Sequence, residues 1–185
     1  MRSRIDVTVA VLATNLAIAF GPSSPATQAS PYDGPNSGPN AQACKVMPTA
    51  DLEATYGGKV TNPHSMDRDS SICTVNIGGL AVKLQSAPPG TGGLPTSVQQ
   101  GLRGARMMLG EAKQETNTRD FGKVGCLSMK MTKGFDGKPL AKPLFTASCF
   151  LVEGGYLNMS VSSENPKQIS FDLIKSLLEK AAAMR

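Results

Sequence analysis

The side chains in this chain that could do more than pack are four cysteines, one histidine, a methionine pair and a run of lysines. Cys44, Cys73, Cys126 and Cys149 are an even number, and the chain opens with an export signal described below. That combination predicts two disulfides rather than thiol or metal chemistry. His64 is the only histidine, in Asn62-Pro63-His64-Ser65-Met66-Asp67-Arg68-Asp69. With Asp67 and Asp69 it could form a general base with its orienting carboxylate, or part of a metal site. A zinc site takes about three protein ligands when catalytic and four when structural. One histidine and no spare cysteine do not reach that number, so the segment reads as a solvated polar turn. Met129 and Met131 flank Lys130 and would place two thioethers on one strand face, a donor set suited to Cu(I). Leu127 begins the same alternation, however, and the expectation is that all three fill a core poor in large aromatics. The chain contains no Gly-x-Ser-x-Gly elbow, phosphate loop, dinucleotide fingerprint or His-Glu-x-x-His. Its carboxylates are scattered singly, so no glycosidase pair can be nominated. No catalytic residue, metal ligand or cofactor is assigned, and the pattern favours a binding protein over an enzyme. The alternatives to a binding protein are a periplasmic copper handler using Met129 and Met131 and a small hydrolase whose site converges from distant residues.

The lysines offer a surface instead. Lys123, Lys130, Lys133, Lys138 and Lys142 fall between positions 123 and 142, with Asp136 the one acid among them. Thr132 to Pro143 reads as a long hairpin loop carrying Phe135 and Leu140 near its tip. Lys130, Lys133, Phe135, Lys138, Leu140 and Lys142 are therefore the candidate binding residues. They suit an acidic protein or an anionic envelope component. The bland reading is a loop kept soluble by its lysines. Nucleic acid is a poor partner, because no aromatic residues interleave with the lysines and the compartment is wrong. Asn158-Met159-Ser160 matches a glycosylation acceptor but falls within an expected strand.

Compartment follows from the first residues. Met1-Arg2-Ser3-Arg4 is basic, Val7 to Phe20 is largely apolar, and Thr27-Gln28-Ala29 suits a small-residue cleavage site. These are the parts of a secretory signal peptide over 1–29, and the apolar run is too short for a membrane span. The expected location is periplasmic or secreted, with no membrane span left after cleavage. Removing Arg2, Arg4 and Asp6 lowers the formal charge of +5 by one. Residues 30–43 are Pro, Gly, Asn and Ser with almost nothing apolar, which predicts a disordered tether. One folded domain is expected over 44–185.

The elements positioning these residues can be read from period and punctuation. Thr49 to Tyr56 is a short helix stopped at Gly57-Gly58. Ile72–Ile77 and Leu80–Leu84 are strands joined tightly at Gly78-Gly79. Thr96-Ser-Val-Gln99 reads as a capping box for a helix whose apolar face is Val98, Leu102, Ala105, Leu109 and Ala112. Strands follow around 127–131, 145–151 and 157–161. Asn165-Pro166 then opens a helix expected to bury Ile169, Leu173, Ile174, Leu177, Leu178 and Ala181. The fold class is α+β, an antiparallel sheet of about five to six strands with helices packed on it.

Cys73 and Cys149 lie 76 positions apart, and each is followed by four residues, Gly-Gly and a strand. At the same offset Leu102 falls on Leu178, Ala105 on Ala181 and Met108 on Met184. This suggests two tandem pseudo-repeats of about 76 residues, 44–115 and 120–185. The repeat implies Cys44–Cys73 and Cys126–Cys149 as the bridges, one in each half.

Cys44, Thr49-Ala50-Asp51-Leu52, Gly57 and Cys73-Thr74-Val75 together resemble the small exported bacterial lipoproteins and periplasmic domains of unknown function. In those, a cysteine precedes a short helix and a second cysteine opens a strand. The tandem plan is also similar to that of the secreted β-lactamase inhibitory proteins. The resemblance implies an exported domain, is architectural in the second case, and carries over no binding residue.

Overall fold

The structure is a computed structural model, and it describes residues 42–65, 71–111, 115–134 and 137–185. The expected signal peptide and nearly all of the tether, together with Asp67, Asp69, Ala112 and Phe135, lie outside the described residues. In chain order the elements are α1 (Gln42–Lys45), α2 (Thr49–Tyr56), β1 (Thr61–Ser65), β2 (Ile72–Ile77), β3 (Leu80–Ala87), α3 (Val98–Glu111), β4 (Glu115–Asp120), β5 (Val124–Lys133), β6 (Pro139–Leu151), β7 (Tyr156–Ser163) and α4 (Phe171–Ala183). The strands form one antiparallel sheet in the order β1-β2-β3-β7-β6-β5-β4.

The fold is α+β as the pattern predicts, with seven strands where five or six are expected. The additional ones are edge strands. Thr61-Asn-Pro-His-Ser of β1 and Glu115-Thr-Asn-Thr-Arg-Asp of β4 carry no apolar alternation. Each has a single neighbour, so it need not bury a face, and polar composition keeps it from pairing with other chains.

Alternation sorts the inner strands cleanly. Cys73, Val75 and Ile77 of β2, Leu80, Val82 and Leu84 of β3, and Leu157, Met159 and Val161 of β7 are all buried on one face. Ala147, Cys149 and Leu151 of β6 with Cys126 of β5 continue that face. Against it pack Ala43 of α1 and Val46 just after it, Leu52 of α2, and Ile174, Leu177, Leu178 and Ala181 of α4. Leu173, expected in this core, is 43 % exposed. The buried positions of α4 recur at steps of three and one, and Leu173 falls about 40° beyond the edge of that stripe at Leu177, toward solvent.

The opposite face holds a smaller cluster of Val98 and Leu102 from α3 with Phe150, flanked by Leu127, Val152 and Tyr156. Phe150 lies in a slot formed by two glycines. A Cβ on Gly101 of α3 would fall 2.5 Å from Cε2 and Cζ of its ring, and one on Gly125 of β5 would fall 2.8 Å from Cζ. Helix and sheet approach this closely only because neither carries a side chain there.

The helix starts differ in detail from the sequence pattern. Ser97, not Thr96, caps α3: its Oγ accepts the Gln100 N–H at 3.1 Å. Gln100 Oε1 reaches back to the Thr96 N–H at 2.8 Å and its hydroxyl at 2.9 Å. Asn165 Oδ1 accepts the Lys167 N–H at 3.1 Å, but it caps only a single 3₁₀ turn over Pro166–Gln168. The chain is extended again at Ile169 and Ser170, and α4 starts at Phe171.

Both bridges form with the expected partners, Cys44–Cys73 and Cys126–Cys149, and no described cysteine is free. Their settings are unlike: the first ties α1 to β2, and the second joins directly opposed residues of β5 and β6. The hairpins β2–β3 and β6–β7 meet across the central β3–β7 pair, each turning on two glycines with positive φ. The helices that follow them, however, lie on opposite faces of the sheet. The structure therefore presents the corresponding hairpins without a corresponding helix placement, and it does not show a tandem repeat.

Candidate functional site

β5 runs to Lys133 and β6 resumes at Pro139, so most of the stretch expected as loop is strand. Gly134 and Gly137 close the turn, with Gly134 N–H donating to Lys138 O at 2.8 Å and Gly137 N–H to Gly134 O at 3.0 Å. Met131 faces Leu144 and Lys133 faces Pro139, so residues 140–143 of β6 oppose Thr132 alone. Pro139 and Pro143 lack the N–H that a regular ladder needs, which suits a bulge. β7 ends at Ser163, the residue after the partner of Thr146, and pairs there with Phe145. Residues 139–144 therefore have β5 as their one neighbour and extend past the body of the sheet. Residues 137–143 are all exposed, Leu140 among them at 37 %.

This ribbon holds the candidate binding residues, but not all are equivalent. Lys142 pairs with Glu164 at 3.0 Å, and Lys123, the first lysine of the run, with Glu153 at 2.9 Å. Both acids come from connecting segments distant in sequence, Glu153 from the β6–β7 turn and Glu164 from just after β7. Lys133 and Lys138 are exposed on the ribbon itself, whereas Lys130 is half-buried at its base opposite Phe145. Phe135 cannot be placed, being outside the described residues.

At the base of the ribbon lies a pocket of about 260 Å³ lined by Lys130, Met129, Phe145, Asn117, Pro166 and Ile169. Cavities that take whole small ligands are usually about 300–1,000 Å³. This one has the size for one inserted side chain. Sequence spacing did not point to Phe145, Ile169 or Asn117, because they converge from β6, the segment before α4 and β4.

Met129 and Met131 are half-buried, Met129 in this pocket and Met131 opposite Leu144. His64 is exposed on edge strand β1, where its Nδ1 is 2.7 Å from Asn62 O, an acceptor, so Nδ1 carries the proton. Among the described residues no three His, Cys, Asp or Glu side chains gather in reach of one ion. Asn158 lies within β7, its Oδ1 accepting the Ser148 hydroxyl at 2.7 Å. No described helix is long and apolar enough to cross a membrane. No family model, curated protein or solved structure matches the chain.

Proposed function

We propose that this chain is an exported, non-enzymatic binding domain that engages an acidic partner in the envelope through the β5–β6 ribbon. The observation that carries this reading is the ribbon's exposure. It extends beyond the sheet with Lys133, Lys138 and Leu140 exposed together, where it buries little for the fold itself. Two-stranded ribbons gain little stability alone, so an extension of this kind needs another use. Export is supported by the basic and apolar opening of the chain and by the two disulfides, which persist in oxidising compartments. In this reading the lysines steer the encounter, and Leu140 with the pocket at the ribbon's base supplies the apolar anchor.

The test compares two double variants with the same net charge on a poly-glutamate column developed with salt. Lys133→Ser/Lys138→Ser should elute at distinctly lower salt than Lys83→Ser/Lys167→Ser, whose lysines are exposed elsewhere. Equal shifts would show that overall charge alone governs retention and would remove the ribbon from consideration.

A further inference from the structure

The shape of the ribbon narrows the kind of acidic partner it suits. Residues 139–144 of β6 have β5 on one side and no strand on the other, an edge to which another protein's strand could add. Pro139 and Pro143 have no N–H to donate to such a strand. The bulge across 140–143 also breaks the register it would have to follow. Strand addition is blocked at that edge, which leaves side chains as the means of contact.

Those side chains form a short amphipathic run. Pro139, Leu140 and Ala141 stand between Lys138 and Lys142, and all five residues are exposed. Lys133 is exposed opposite Pro139 on β5, while Lys142 is engaged with Glu164 at 3.0 Å. The run lies on a projection from the sheet, so a rigid partner would have to supply the whole of a matching pocket. A lipid surface needs none: it yields to a protruding apolar residue and presents phosphates at the level of the flanking ammonium groups. Lysine stems can lie along the apolar boundary while their heads stay in water. Two prolines restrict the backbone here, so little conformational freedom remains to be lost on adsorption. No described helix is long and apolar enough to cross the bilayer, so the contact is peripheral.

We propose that the acidic partner is an anionic phospholipid surface, with Lys133 and Lys138 near the phosphates and Leu140 entering the hydrocarbon boundary. This rests on the ribbon being the binding surface and names what it binds. The test is co-sedimentation of the purified full chain with vesicles of mixed phosphatidylglycerol and phosphatidylcholine, against vesicles of phosphatidylcholine alone. The chain should sediment with the anionic vesicles, be released by salt, and stay in solution with the neutral ones. A lysine near an anionic surface contributes about fivefold, so Lys133→Ser/Lys138→Ser should partition about thirtyfold more weakly. Lys83→Ser/Lys167→Ser should lose distinctly less. Leu140→Ser should lose about tenfold with its dependence on salt unchanged. No sedimentation with anionic vesicles at low salt, equal losses in the two lysine pairs, or undiminished partition of Leu140→Ser would overturn the lipid assignment. If vesicles fail while retention on poly-glutamate still depends on Lys133 and Lys138, the partner is an acidic polypeptide: the lipid assignment falls and the ribbon stands. If neither surface distinguishes these lysines, both fall.

Discussion

Two glycines in α3 provide a test of how the helix is seated. In an isolated helix, Gly101→Ala and Gly104→Ala would each add about 1 kcal/mol of stability from propensity alone. The surroundings separate them. A Cβ at Gly104 meets nothing within 4 Å, so that variant should keep the full gain. A Cβ at Gly101 would sit 2.5 Å from two ring carbons of Phe150 and 3.3 Å from Pro95 Cγ. Carbon atoms in contact rest about 3.5–4.0 Å apart, so ring or helix must give by about 1 Å. The ring has little room to retreat. Phe150 is 3 % exposed, the site of a Gly125 Cβ is 2.8 Å from its Cζ, and Tyr156 stacks near it with centroids 6.2 Å apart. Overpacking of this kind costs about 1–3 kcal/mol. Propensity cancels between the two variants, so Gly101→Ala should be less stable than Gly104→Ala by about 1–3 kcal/mol. Urea denaturation, with slopes checked for equality, measures the difference directly. Adding Phe150→Leu to Gly101→Ala should recover part of the loss, a non-additivity expected of residues in contact. If the two alanine variants unfold at the same urea concentration, the slot argument is wrong and α3 is not seated on Phe150.

The bridges close loops of 29 and 23 residues, so replacing either pair by serine should cost about 3–4 kcal/mol, read from the denaturant midpoint. Non-reducing peptide mapping that joined Cys73 to Cys149 would contradict the arrangement around α1 and β5. Glu53 should report on acid unfolding: the Val60 N–H at 2.9 Å, and then the Lys59 ammonium at 3.1 Å, hold its carboxyl below the ordinary value of 4.5. A depressed carboxylate contributes stability above its unfolded pKa and loses it as pH falls through the lower folded one. The advantage of the parent chain over Glu53→Gln should thus be full at neutral pH and shrink as pH falls below that ordinary value of 4.5; a gap that stays constant into acid would refute the role of Glu53.

The sequence by itself determined what depends on near neighbours. Alternation of Leu80, Val82 and Leu84, two glycines at each hairpin turn and the stripe Ile174, Leu177, Leu178 and Ala181 are local periodicities. They revealed the inner strands, the tight hairpins, the helix faces and the α+β class. The even cysteine count pointed to two bridges, and the match between the two hairpins pointed to the right partners. Its implied repeat did not extend to the helices, because the side of a sheet that a helix covers depends on the sheet's whole packing. Tertiary structure alone decided the β3–β7 adjacency that completes the sheet, and it placed α3 and α4 on opposite faces. Polar β1 and β4 became strands because a neighbour supplied a ladder, a partner that composition does not encode. The same holds for the candidate sites. The lysine run was legible, but the pairing of Lys123 and Lys142 with Glu153 and Glu164 was not. Neither was the convergence of Lys130, Phe145 and Ile169. Each joins residues brought together only after the sheet closes, and the apolar surface that drives closure is distributed over the whole chain rather than written at any of these positions.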